Sequence, residues 1–228
     1  MVKKICYFCG KEALTKEHFP PKSFFPSGGK GLQLKTVPSC EEHNNEKSHL
    51  DQYILAHITM NQGRNRNLAK RRFSEAIVPQ LKFDEKFRQM LSDGSKPLKD
   101  GTVQYSVDST KFDQFFDALT RAILFDKYHE VFPGSKYLLE HVCLSFGKAG
   151  GDGKLEALAR LLGYDFFIKN KSLVDEEIHA GLDDFVYRNK VMSPCGYSGS
   201  ITIMHSFFDS FDVLSLASIK HTSLLSHR

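Results

Sequence analysis

The sequence predicts an α+β fold, with a short N-terminal module followed by a domain of one long helix and antiparallel strands. Three observations lead there. Cys6, Cys9, Cys40 and His43 gather in the first fifth of a 228-residue chain. Phe112, Phe115, Phe116, Leu119, Ala122, Ile123 and Leu124 recur at helical spacing. Short runs at 137–146, 185–188, 200–205 and 211–215 read as strands.

The elements follow in order. Residues 24–31 are a turn-rich loop, Phe-Phe-Pro-Ser-Gly-Gly-Lys-Gly. Residues 32–37 alternate apolar and polar and predict a strand. From Glu41 the pattern turns helical and runs past Tyr53, Ile54 and Ile58, with Gly63 placed to break or kink it. A basic stretch follows, with Arg64, Arg66, Lys70, Arg71 and Arg72, and Pro79 is expected to end any helix reaching that far. Residues 91–110 are polar and turn-like. Thr110 with Asp113 resembles a capping box for the long helix, and Pro133-Gly134 is its expected stop. After the strand at 137–146 comes a loop at 147–153 with four glycines, then a short helix at 155–162 closed by Gly163. The resulting division is a cysteine module over 1–60, a basic helical connector over 61–90, and an α+β domain over 91–228. That last domain is expected to serve recognition or oligomerisation.

Composition narrows the class. A hydrophobic fraction of 41% with 25% charged residues is that of an ordinary globular protein. No apolar run is long enough to span a bilayer, and no apolar signal core precedes Cys6. A cytoplasmic protein with no membrane partner is the expectation. The net charge of +4 is uneven: Lys+Arg against Asp+Glu is 8 to 6 over 1–60, 8 to 3 over 61–90 and 15 to 18 over 91–228. The positive excess therefore sits in the first ninety residues, which favours a polyanionic partner there.

Five cysteines do not make a disulfide framework, and Cys6 and Cys9 are too close for an ordinary structural bridge. Cys-x2-Cys places two thiolates on one tight turn. A second pair, Cys40-x2-His43, can complete a tetrahedron with bonds of about 2.3 Å to sulfur and about 2.0 Å to nitrogen. A structural zinc ion is the expected occupant, and a CxxC redox pair is the alternative. Between the pairs lies Glu17-His18. A neutral His suits deprotonation of a water near pH 7. Glu17 offers a hard oxygen ligand for a divalent ion, and Asn44 offers an amide oxygen.

The order Cys6-x2-Cys9, Glu17-His18-x2-Pro21, then Val37-Pro38-Ser39-Cys40-x2-His43-Asn44, with Lys47 and Tyr53 following, resembles the HNH endonucleases of the zinc-stapled ββα-metal type. The resemblance covers about residues 4–58. It implies two strands carrying the general base, then a helix carrying a metal ligand. By that resemblance His18 is the general base. Glu17 and Asn44 hold a catalytic Mg2+ or Mn2+, with His49 as a further candidate ligand, and Cys6, Cys9, Cys40 and His43 hold zinc. It departs from the family in three places. Glu17 stands where most relatives have Asp, His43 where the last zinc ligand is usually Cys, and the Asn that braces the catalytic loop falls at Gln33 or is absent. The implied activity is metal-dependent hydrolysis of nucleic-acid phosphodiesters, DNA in preference to RNA, in the manner of phage-defence or mobile-element effectors. Arg64, Arg66, Lys70, Arg71 and Arg72 would line the backbone path. The alternative is a non-catalytic zinc module that binds nucleic acid or a partner protein.

The C-terminal region shows no catalytic pattern. The glycines at 147–153 lack the spacing of a phosphate loop. His205, Ser206 and Asp209 cannot converge as strand neighbours. His141 and His205 read as strand residues with ordinary partners. A partner protein or a second copy of the chain is the expected contact of this region.

Overall fold

The structure is a computed structural model that describes residues 4–45, 47–61, 66–99, 103–144, 174–180, 185–193, 195–209 and 211–220. Gly63, Arg64, the glycine loop at 147–153 and the helix expected at 155–162 lie outside the described residues. The architecture is mixed helix and sheet, as the sequence predicts.

A two-stranded hairpin opens the fold. Strand β1 (Thr15–His18) pairs antiparallel with β2 (Thr36–Ser39), with Glu17 opposite Val37 and His18 opposite Thr36. The strand expected at 32–37 contributes only its last two residues. Its start is held in a turn, because Gly29 and Gly31 take positive φ and Leu32 N donates to Gly29 O. Leu34 packs so close to Gly29 that a Cβ there would lie 2.6 Å from Leu34 Cδ1.

The helical pattern from Glu41 forms two helices, α1 (Glu41–Asn45) and α2 (Ser48–Met60), with Lys47 between them. In α2, Tyr53 to Ile58 are all buried, so this helix is covered on several sides and runs through the interior. Helix α3 (Arg66–Arg72) passes into a π-helical turn (Phe73–Ile77) and then α4 (Val78–Phe83). Pro79 therefore does not end the helix. The wider π turn precedes it, and Pro79 sits in the first turn of α4, where a missing N–H and a fixed φ are tolerated. Asp84 caps α5 (Glu85–Ser92) by accepting from Phe87 N at 2.9 Å. The turn-like region beyond holds a small hairpin, β3 (Lys96–Pro97) with β4 (Val103–Gln104).

The long helix is α6 (Ser109–Tyr128). Its N-cap is Asp108 rather than Thr110: the Asp108 carboxylate accepts from Thr110 N at 3.0 Å. It ends at His129, which takes the left-handed conformation (φ 57°, ψ 25°) before Pro133-Gly134 is reached. Helix α6 lies on an antiparallel sheet ordered β5 (Tyr137–Cys143), β9 (Phe211–Ile219), β8 (Ile201–Phe207), β7 (Phe185–Met192) and β6 (Glu176–His179). The four expected strands are there, and three are longer or shifted at their ends. Strand β6, with Glu177, His179 and no apolar run, gave no sequence signal.

His141 and His205 do have ordinary strand partners. Ser215 Oγ lies 2.9 Å from His141 Nδ1 and 3.0 Å from His205 Nε2, and His205 Nδ1 is 3.0 Å from Tyr187 OH. One continuous buried cluster takes in Cys6 and Tyr7, the α2 core, the α6 phenylalanines and β7 to β9. Phe24, in the loop between Glu17-His18 and Cys40, is fully buried, with its ring 5.4 Å from Phe115 of α6 and 5.3 Å from Phe207 of β8. The N-terminal hairpin loop is thus pinned to the sheet region by aromatic packing.

Candidate metal centre

The first knuckle is a tight turn. Cys6 N donates to Lys11 O at 2.8 Å, Gly10 N donates to Cys6 O at 3.0 Å, and Gly10 takes a positive φ. Tyr7 N donates to Pro38 O at 2.9 Å, which ties the knuckle to β2 directly before Cys40. Cys40 then precedes α1, and one helical turn brings His43 back beside it.

These four residues come together. Their donor atoms all lie within 4.8 Å of one another. Cys9 Sγ and Cys40 Sγ are 3.9 Å apart, and His43 Nδ1 lies 3.1 Å from Cys40 Sγ and 4.0 Å from Cys6 Sγ. A tetrahedron with sulfur bonds of about 2.3 Å has edges of ~3.8 Å, so the spacing suits one zinc ion. All three of these thiols are free of disulfides. The donor set, three soft sulfurs and one imidazole, is consistent with a structural zinc site.

The inner residues are placed differently. Successive strand residues face opposite sides, so Glu17 and His18 do not share a face. Glu17 turns inward and is buried, whereas His18 is half-buried, with exposed Lys16 on its side of β1. Burial pushes the Glu17 carboxyl up, and the Lys47 charge opposes that shift. Burial also pulls the Lys47 ammonium down, against the charges of Glu17 and Asp51. Asp51, one turn beyond Lys47, is pushed up to about 8 by burial, with the Glu17 charge adding to the shift. Lys47 donates to Tyr7 OH, and its Nζ lies 5.1 Å from the Tyr7 ring centroid. Burial pushes the Tyr7 phenol up, so it stays neutral. This Tyr7–Glu17–Lys47–Asp51 group was missed in the sequence. Its one legible signal is Lys47 and Asp51 at helical i, i+4 spacing behind a knuckle that contains Tyr.

His18 is held below its ordinary value by burial, with the charge of Lys22 adding to the effect, so it is neutral at pH 7 and able to accept a proton. Asn44 is half-buried on α1, which packs against β1. His49 is exposed on α2. Among the described residues, only Cys6, Cys9, Cys40 and His43 form a group of three or more His, Cys, Asp or Glu fit to hold a metal. The residues therefore fit zinc. Glu17 is turned inward, where the Lys47 charge acts on it.

The basic stretch also divides. Lys70 and Arg71 are exposed. Arg72 is buried: its Nε donates to Ser23 O at 3.0 Å, its Nη2 donates to the same oxygen, and its Nη1 lies 3.7 Å from Glu75. It holds the hairpin loop and does not line a surface path. Arg66 begins α3, and Arg64 lies outside the described residues.

Among the described residues no helix is long and apolar enough to cross a membrane. No protein-family model, curated protein or solved structure matches the chain.

Proposed function

We propose that the chain is an HNH-type endonuclease that hydrolyses nucleic-acid phosphodiesters, DNA in preference to RNA, with zinc as a structural staple of a ββα-metal module. The observation that carries this reading is His18. It is neutral, half-exposed, and mounted on a hairpin that the Cys3His cluster ties to α1. Exposed Lys16 shares its strand face, and exposed Lys22 lies near enough for its charge to act on the imidazole. A cationic face around a neutral imidazole suits a phosphodiester.

In that chemistry His18 accepts a proton from water as the water oxygen attacks phosphorus. The bond from phosphorus to the leaving oxygen breaks, and that oxygen takes up a proton from solvent. Lys16 and Lys22 offset the phosphate charge. Glu17 and Asn44 are the family's positions for Mg2+ or Mn2+. In this arrangement the Lys47 charge acts on Glu17. Cellular roles in phage defence or mobile elements rest on the resemblance alone.

The inward Glu17 favours a second reading, a non-catalytic zinc module that binds nucleic acid or a partner protein. A single assay separates the two. The full chain is incubated with plasmid, single-stranded DNA and total RNA, with and without Mg2+ or Mn2+. Divalent-dependent cleavage supports the nuclease. Salt-sensitive binding with no cleavage across the panel refutes it and leaves the binding module.

A further inference from the structure

One group of contacts leads from the metal centre into the C-terminal half. The Phe8 ring, inside the first knuckle, stacks on the His43 ring with centroids 4.3 Å apart and planes 23° apart. The guanidinium of Arg121, on α6, lies over the same Phe8 ring, its carbon 4.7 Å from the centroid. It also lies over Phe132, at 4.8 Å, and Phe132 is buried. Asp117, one turn back on α6, accepts from Arg121 Nε at 2.9 Å. The segment after α6 closes around this arrangement. A Cβ on Gly134 would meet Arg121 Nη2 at 3.4 Å, and one on Gly10 would meet Val131 Cγ2 at 3.8 Å.

We propose that Arg121 is a positioning residue for the metal centre, fixing through Phe8 the plane of the His43 ring and hence the direction of its Nδ1 donor. Two physical effects act together. An imidazole ligand is useful only when its lone pair points at the ion, and groups beyond the ligands commonly set that angle. Three thiolates around a divalent ion also leave a net charge of about −1. A guanidinium one ring away, on a partly buried side chain, offsets that charge with little screening. Arginine is suited to both tasks, because its planar cation can lie flat on aromatic rings while its edge stays bonded to a carboxylate. The inference rests on the zinc reading of Cys6, Cys9, Cys40 and His43, and it makes α6 part of the metal centre's support.

The test uses the full chain loaded with zinc, and separately with Co2+ as a spectroscopic substitute. Zinc affinity is read by competition with a chromophoric chelator, and ligand geometry by the Co2+ d–d absorption. Arg121→Met keeps the length of the side chain and removes the flat cation. It is expected to weaken zinc binding about tenfold or more and to alter the Co2+ spectrum, with Arg121→Lys falling between it and the parent. Lys35→Met is the control. It breaks the Lys35 pairing with Asp126 of α6, at 2.9 Å, and with Glu176 of β6, at 3.8 Å, without touching the stack. It is expected to leave both readouts unchanged. Unaltered affinity and spectrum in Arg121→Met overturn the positioning role. So does an equal loss in Lys35→Met, which would mean general loosening. If Arg121→Met does not fold, Asp117→Ala removes the acceptor of Arg121 Nε, and an unchanged Co2+ spectrum there overturns the role equally. A parent chain that takes up neither ion overturns the zinc reading itself, and the positioning role with it.

Discussion

His57 offers a direct test of the interior. It is fully buried in α2, among Tyr53, Tyr105 and Phe112, with centroids 4.3, 5.3 and 6.0 Å away. Neither ring nitrogen has a hydrogen-bond partner among the described residues. Burial holds its pKa down to about 4, against 6.5 for the free side chain. The sign of the linkage follows. Between those two values the unfolded chain binds the proton and the folded chain does not, so stability falls as pH falls below about 6.5. From pH 7 to pH 5 the loss from this residue alone is about 2 kcal/mol, at 1.36 kcal/mol per pH unit over roughly 1.5 units. That is a large share of a total stability of roughly 5–15 kcal/mol. His57→Leu removes the titration and the unpaired nitrogens at similar volume. Urea unfolding followed by circular dichroism at pH 7 and pH 5, on parent and variant, isolates the effect, because acid weakening of the thiolate site is common to both. The variant is expected to lose about 2 kcal/mol less than the parent over that interval. Equal losses in the two proteins would refute a buried, neutral His57.

Three further outcomes are expected. Elemental analysis is expected to find one zinc per parent chain and none in Cys40→Ser, and the variant should expose the hairpin and α1 to limited proteolysis, because zinc binding to such sites supplies folding free energy. Phe24→Ala should destabilise the chain by about 3–5 kcal/mol in chemical denaturation, because it empties a fully buried site between Phe115 and Phe207. Asp51→Asn should stabilise the chain at pH 8 and leave it little changed at pH 4. The folded-state pKa of Asp51 is raised to about 8, so in the parent its contribution is present in acid and lost as pH rises toward that value.

What was legible in the sequence had local causes. The Cys6, Cys9, Cys40 and His43 cluster could be read because Cys-x2-Cys and Cys-x2-His state their own geometry. Helix α6 and strands β7 to β9 could be read because their apolar periods are strong. The misplacements also have causes. Asp108 caps α6 two positions before the residues that mimic a capping box. Pro79 is tolerated because a π turn shifts the carbonyls behind it, a feature with no sequence period. Arg72 looked like surface charge because only tertiary packing brings Ser23 O within reach of its guanidinium. In the candidate site, strand alternation made the opposite facing of Glu17 and His18 legible in principle. The inward partners of Glu17 were not, since Lys47, Asp51 and Tyr7 meet only once the knuckle folds onto α2. The stack of Arg121 on Phe8 joins residues 113 positions apart (121 − 8) and has no local signature.

The most direct test of the functional account is cleavage by His18→Ala at zinc content equal to the parent's. Nucleic acid is offered in Mg2+ or Mn2+, and zinc is measured on the same samples. A parent that cuts and a variant that is slowed by about 100-fold or more, both with one zinc per chain, is the expected result. A zinc-loaded variant that cuts as fast as the parent would contradict the assignment of His18 as the general base.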